Sequence, residues 1–169
     1  GYEEAIGYCV NPAEVRDKDG VSAGLLMAAM VADLKAEGRT LGDAIDDLAR
    51  NYGAYLTRQV SVRFTDLAEI PATMARVLGA PPEQLAGSPV TSTDDMGEGF
   101  AGLSPTSGLH VATASNARVI IRPSGTEPKL KAYLEVIKPV VDGDVAIARA
   151  LAEQEMAALE ADVKAVLGV

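Results

Sequence analysis

From Val21 to Glu37 the chain is apolar almost without interruption: Leu25, Leu26, Met27, Met30, Val31 and Leu34 recur, with alanines filling between. A run with so little polar face predicts a largely buried helix. Asp17 and Asp19 precede it, where carboxylates suit free N–H groups and the positive end of the helix dipole. Thr40 and Asp43 then stand at capping-box spacing, with Asp in place of the usual Glu or Gln. Leu41, Ala44, Ile45, Leu48 and Tyr52 follow at helical intervals, and Gly53 reads as a C-cap. A first block therefore ends near residue 53.

Beyond it the period changes. Leu56, Val60, Val62 and Phe64 alternate with Thr57, Gln59, Ser61 and Arg63, the signature of a half-buried strand over Tyr55 to Thr65. Pro71 opens a short helix that runs to Leu78. Strands are expected at Val90 to Thr93, Leu109 to Thr113, Arg118 to Ile121 and Leu130 to Val136, with a glycine-rich loop from Met96 to Gly108. A closing helix spans Asp142 to Leu167, apolar at Ile147, Leu151, Leu159, Val163 and Val166. Strands bracketed by helices give an α+β class: an antiparallel sheet with helices packed on one face.

Composition narrows the function classes. Of 169 residues 48% are apolar, enough for a core. A formal charge of −9 argues against a nucleic-acid partner, which wants a basic face. No stretch reaches the roughly 18 apolar residues of a membrane span. No charged segment followed by an apolar one opens the chain, so nothing marks it for secretion and a cytoplasmic location is expected. Cys9 and His110 are single residues of their kinds, which excludes a disulfide framework and a cysteine or histidine metal cluster; no metal ligands are assigned. Both read as structural, Cys9 as a small apolar side chain in a strand. The methionines read as core. Asp142 and Asp144 lack a third carboxylate and read as helix caps. The acidity is uneven, however. Between Asn116 and Val140, Arg118, Arg122, Lys129, Lys131 and Lys138 outnumber Glu127 and Glu135. A basic island of this size suits a small anion.

Three runs can carry chemistry. Arg122-Pro-Ser-Gly-Thr-Glu-Pro-Lys129 joins two strands and, with two prolines and a glycine, is a rigid loop. Its guanidinium, the hydroxyls of Ser124 and Thr126, and a glycine N–H open to close approach suit a phosphate. Lys129 and Lys131 alternate on the next strand and share its face, so either adds charge. A tight surface turn with incidental basic residues fits the same composition. Gly1-Tyr-Glu-Glu-Ala-Ile-Gly sets Glu3 and Glu4 between glycines, as acceptors for sugar hydroxyls, metal ligands, or simply a solvated turn. Arg16-Asp-Lys-Asp-Gly20 is a capped helix start, or places Lys18 to meet a phosphate or move a proton.

Together these runs resemble the α-D-phosphohexomutase superfamily, the phosphoglucomutase and phosphomannomutase enzymes. Arg122-Pro-Ser-Gly-Thr-Glu-Pro is similar to the phosphate-binding loop of that family's fourth domain. Gly1-Tyr-Glu-Glu-Ala-Ile-Gly is similar to the sugar loop of its third. Arg16-Asp-Lys-Asp-Gly-Val-Ser-Ala23 matches the segment that follows in the phosphoglucomutase/phosphopentomutase branch. The resemblance covers the whole chain: residues 1–53 as the helical C-terminal part of an α/β third domain, residues 54–169 as the fourth. It implies that Arg122, Ser124, Gly125, Thr126 and Lys131 hold the phosphate that is not being transferred. Glu3 and Glu4 would hold sugar hydroxyls, and Lys18 would serve as an acid/base or phosphate contact. It further implies a phosphoserine on another domain, a sugar bisphosphate intermediate and activator, and a magnesium ion whose ligands lie outside this chain. The implied partners are a sugar phosphate and the N-terminal domains of the same mutase. No Thr-x-Ser-His-Asn-Pro loop is present, Thr113-Ala-Ser-Asn116 lacking the histidine, and no Asp-Gly-Asp-x-Asp loop occurs. Ala5 stands where some relatives carry serine, so glucose, mannose and pentose phosphates all remain open. The expectation is thus a C-terminal fragment of a mutase, inactive alone; the alternative is a free-standing sugar-phosphate-binding module without catalysis.

Overall fold

The computed structural model describes residues 1–3, 6–125 and 127–169, arranged as two compact units, residues 1–48 and 49–169. The first unit begins with a two-stranded hairpin, β1 (Tyr2–Glu3) and β2 (Gly7–Tyr8), paired Tyr2 to Tyr8 and Glu3 to Gly7. Helix α1 (Gly20–Ala36) follows, capped as expected: the Asp19 carboxylate accepts from the Val21 and Ser22 N–H groups. The Thr40 box also forms, Thr40 N–H donating to Asp43 Oδ2 at 2.7 Å and Asp43 N–H to Thr40 Oγ1 at 3.2 Å. Helix α2 (Leu41–Tyr52) starts there and stops at Gly53, whose N–H bonds the Ala49 carbonyl at φ +103°.

Several expectations fail in this unit. α1 forms, but only Leu34 of its residues is buried; Val21 is 83% and Leu25 73% exposed. A helix apolar on every side needs partners on every side. A unit of two helices and a four-residue hairpin has too little surface to provide them. Met27 and Met30 are therefore exposed, whereas Met74 and Met156 in the second unit are buried as expected. Cys9 lies just past β2 and not in a strand, half-buried with Sγ 3.6 Å from the Val15 carbonyl oxygen.

The second unit contains β3 (Ala54–Arg63), α3 (Glu69–Gly79), β4 (Gln84–Leu85), β5 (Ser88–Asp95), β6 (Leu109–Thr113), β7 (Arg118–Pro123), β8 (Lys129–Lys138) and α4 (Val145–Leu167). These strands form an antiparallel sheet of order β3-β8-β7-β6-β5-β4. The two-residue β4 and a single helical turn at Met96–Glu98 had no signal in the hydrophobic pattern. Alternation assigns Val60, Val111, Val119, Ile121, Leu130, Ala132, Leu134 and Val136 to one buried face. α4 packs on β3 and β8 and lays Ala152, Met156, Leu159 and Val163 into that core, with Ala148 buried on the same stripe. Ile147 and Leu151, expected inward, are exposed, because they sit about 100° off the 148-152-156-159-163 stripe. Asp144 caps α4, its Oδ1 accepting from the Ile147 N–H at 3.0 Å. The architecture is the expected α+β arrangement, with helices on one face of an antiparallel sheet.

Candidate functional site

The face of the sheet away from α4 carries Arg118, Arg122, Lys129 and Lys131. On β7 the buried Val119 and Ile121 alternate with Arg118, Ile120 and Arg122. On β8 the buried Leu130, Ala132, Leu134 and Val136 alternate with Lys129, Lys131, Tyr133 and Glu135. The register sets Arg122 directly opposite Lys131. Cβ atoms at opposed antiparallel positions lie about 5 Å apart, and like charges placed so repel. Among the described residues neither has an ion-pair partner; Lys131 only leans toward the Tyr133 ring, 5.9 Å from its centroid.

The loop between these strands is held by main-chain bonds from Ser124 N–H to the Lys129 carbonyl at 2.9 Å and from Lys129 N–H to the Glu127 carbonyl at 2.7 Å. Thr126 lies outside the described residues. Gly125 has an ordinary φ, and a Cβ built on it would meet no atom within 4 Å. The fold itself therefore does not require glycine there, and the space on its Cβ side is open. Gly108 is different. A Cβ there would stand 3.1 Å from Met96 Sδ, 3.2 Å from the Ile121 carbonyl oxygen and 3.5 Å from Arg122 Cβ. The loop from Met96 to Gly108 thus passes tightly against the base of Arg122. The strand that follows Gly108 carries His110, buried with Nδ1 3.0 Å from Asp94 Oδ2 and its ring 4.4 Å from that of Phe100.

The other basic side chains of the island are paired. Arg118 meets Glu135 at 3.1 Å, and Lys138 forms an ion pair with Glu155. Glu127 bridges Lys129 at 2.5 Å and Arg63 at 3.2 Å. The hydrogen bond from Lys129, followed by the charges of Lys129 and Arg63, holds the Glu127 carboxyl below the usual carboxylate range. Arg122 and Lys131 are what remains: two cations beside a loop with Ser124 and Gly125, able to receive an anion. Sequence reasoning missed Glu127 and Arg63 as members of this cluster. Arg63 stood in the polar half of the β3 alternation, but only the β3–β8 register places it opposite Lys129.

In the first unit the structure brings Glu3 and Lys18 together, Nζ to Oε1 at 3.1 Å. They line a depression of about 360 Å³ with Tyr2, Gly7, Arg16 and Asp17. Gly7 is buried beneath the pair; a Cβ there would lie 2.5 Å from Lys18 Cδ and 2.6 Å from Glu3 Oε1. Only glycine lets the two side chains meet over the hairpin. The hydrogen bond to Glu3, and then its charge, raise the Lys18 pKa above the ordinary lysine value. An ammonium so held is a cation and donor; a general base would need a pKa brought down toward neutrality. Glu4 lies outside the described residues. Among the described residues no group of three or more His, Cys, Asp or Glu is placed to hold a metal ion, and no helix is long and apolar enough to cross a membrane. The magnesium ion implied by the resemblance therefore finds no ligand set in the described part of this chain.

Comparison with known proteins follows the same lines. Residues 60–158 match the family model of the phosphoglucomutase/phosphomannomutase C-terminal domain. A probable phosphomannomutase of Haemophilus influenzae is 42% identical over 136 residues, covering 80% of this chain and 27% of the relative. A phosphoglucomutase of Staphylococcus epidermidis is 33% identical over 149 residues, and a probable phosphoribomutase of Schizosaccharomyces pombe 31% over 151. The chain spans about a quarter of the length of these relatives. The crystal structure of the Paramecium phosphoprotein parafusin, a phosphoglucomutase in its open form, superimposes with a TM-score of 0.51 at 17% identity, over 90% of this chain and 28% of its own. At that identity it speaks for the fold alone. The chain belongs to the phosphoglucomutase/phosphomannomutase family, with the family's C-terminal domain at residues 60–158.

Proposed function

We propose that this chain is the sugar- and phosphate-binding C-terminal portion of a phosphosugar mutase. Such an enzyme interconverts a hexose or pentose 1-phosphate with its 6- or 5-phosphate through a phosphoserine and a bisphosphate intermediate. The observation that carries the reading is the pair Arg122 and Lys131, opposed across β7 and β8 beside the Ser124–Gly125 turn and without an ion-pair partner among the described residues. A phosphate bound there relieves the repulsion between the two cations and accepts their hydrogen bonds, while the Ser124 hydroxyl and the open Gly125 amide add donors. Thr126, by its place in the motif, belongs to the same group. Arg122 and Lys131 then fix the phosphate that is not being transferred. Phosphoryl transfer depends mainly on positioning and charge stabilisation, and this is a positioning task.

Glu3, with Glu4, accepts hydrogen bonds from vicinal sugar hydroxyls; a carboxylate would repel a phosphate. Lys18 orients Glu3 through their ion pair, and as a protonated donor contributes a charge contact in preference to proton abstraction. The phosphoserine and magnesium ligands come from the N-terminal domains, so the chain alone turns over no substrate. A magnesium ion there would supply charge neutralisation at the transferring phosphoryl group.

The test is a chimera in which this chain replaces the matching segment of the Haemophilus influenzae relative, assayed with glucose, mannose and ribose phosphates. Glu3→Gln should lower kcat/KM for the sugar phosphate, with kcat falling too, while inorganic phosphate binds as before. Parental kinetics in a chimera of unchanged melting temperature would return Glu3 to the class of solvated turn residues.

A further inference from the structure

Four cations and one carboxylate crowd the loop end of the open sheet face, and their pairing is uneven. Arg63 and Lys129 are register partners across β3 and β8, as Arg122 and Lys131 are across β7 and β8. Glu127 bonds the first two and neither of the second. The Lys129 side chain is only 16% exposed, so its ammonium is drawn out of solvent against that carboxylate. Lys129 and Lys131 leave the same strand face two residues, about 7 Å, apart. Freed from Glu127, Lys129 would therefore be the next cation to reach an anion held between Arg122 and Lys131.

We propose that Glu127 sorts the cations of the anion loop, holding Lys129 and Arg63 aside so that two positive charges, and not four, face the ligand. This rests on the reading of Arg122 and Lys131 as the phosphate site. Two cations match the double negative charge of a phosphomonoester. Further cations would tighten binding of substrate and product alike, which slows release without favouring the transition state. Glu127 is in this account a positioning residue: it acts through Lys129 and touches no ligand.

The experiment titrates inorganic phosphate into the 169-residue chain and its variants at several salt concentrations, with amide shifts as the readout. Glu127→Gln should bind phosphate about threefold more tightly, the increment of one additional partly screened charge. Its affinity should also fall more steeply with salt. Adding Lys129→Gln to that variant should restore parental affinity and parental salt dependence. Lys129→Gln alone should bind no more tightly than the parent, because its ammonium is already occupied and its loss leaves Glu127 with Arg63 only. Weaker or unchanged binding by Glu127→Gln, or tighter binding by Lys129→Gln alone, overturns the sorting role. Arg122→Ala in the same series separates the two ideas. If it weakens binding while Glu127→Gln does nothing, the sorting role alone fails. If it has no effect, the phosphate site fails, and the inference with it.

Discussion

Replacing Arg122 with alanine should separate binding from stability, because the structure gives the guanidinium opposite effects on the two. Arg122 is exposed, stands directly opposite Lys131, and has no ion-pair partner among the described residues. Removing one of two like charges at opposed strand positions should leave the ligand-free chain as stable as before, or more stable by about 0.2–1 kcal/mol. The buried neighbours Val119 and Ile121 are untouched by the change. Binding moves the other way. A hydrogen bond to a charged group contributes roughly 1.5–3 kcal/mol, so phosphate affinity should drop by about tenfold to a hundredfold. Titration with phosphate followed by the Gly125 amide shift, beside a urea unfolding curve, reads both quantities in one preparation. A guanidinium that merely decorated a surface turn would leave the Gly125 shift and the affinity unchanged. A fall in stability by more than about 1 kcal/mol would mean that Arg122 is part of the scaffold, and the argument from unrelieved repulsion would be wrong.

Gly125→Ala should leave the unfolding midpoint within error of the parent, since a Cβ meets nothing within 4 Å and φ is ordinary, yet weaken phosphate binding by blocking approach to the amide; equal affinity in both chains would remove Gly125 from the site. Acid should weaken the seam between α4 and β3, where Glu160 accepts from Lys164 at 2.6 Å and Arg58 at 2.9 Å and is thereby held below its ordinary value of 4.5. A carboxyl with a depressed folded-state pKa contributes stability above its unfolded pKa and loses it as pH falls through the folded one. The gap in urea midpoint between the parent and Glu160→Gln should therefore be constant above about pH 5 and shrink as pH falls below it; a gap that does not change with pH would refute that assignment.

Period and punctuation placed most elements of the chain, with β4 and the helical turn at Met96–Glu98 among the exceptions. Alternation at Leu56 to Phe64, the turn residues after Arg122 and the caps at Asp19, Thr40, Gly53 and Asp144 are local preferences, and each appears where the chain predicts it. The basic and hydroxylic composition of the Arg122 to Lys129 turn was legible for the same reason, since a guanidinium carries its chemistry wherever it sits. Tertiary structure decided what depends on distance in space. The exposure of α1 could not be read from its sequence, because burial belongs to the pair of surfaces and not to the helix. Which of the five basic residues in the island would remain unpaired was equally hidden. Arg63 is 64 residues from Glu127 along the chain, and only the β3–β8 register brings it alongside. Likewise Ile147 and Leu151 lose their places in the core to Ala148 and Ala152 because the azimuth of α4 on the sheet is set by packing. Sequence settles which residues can bear charge or turn the chain; the register of strands, a non-local property, settles which charges meet and which are left for a ligand.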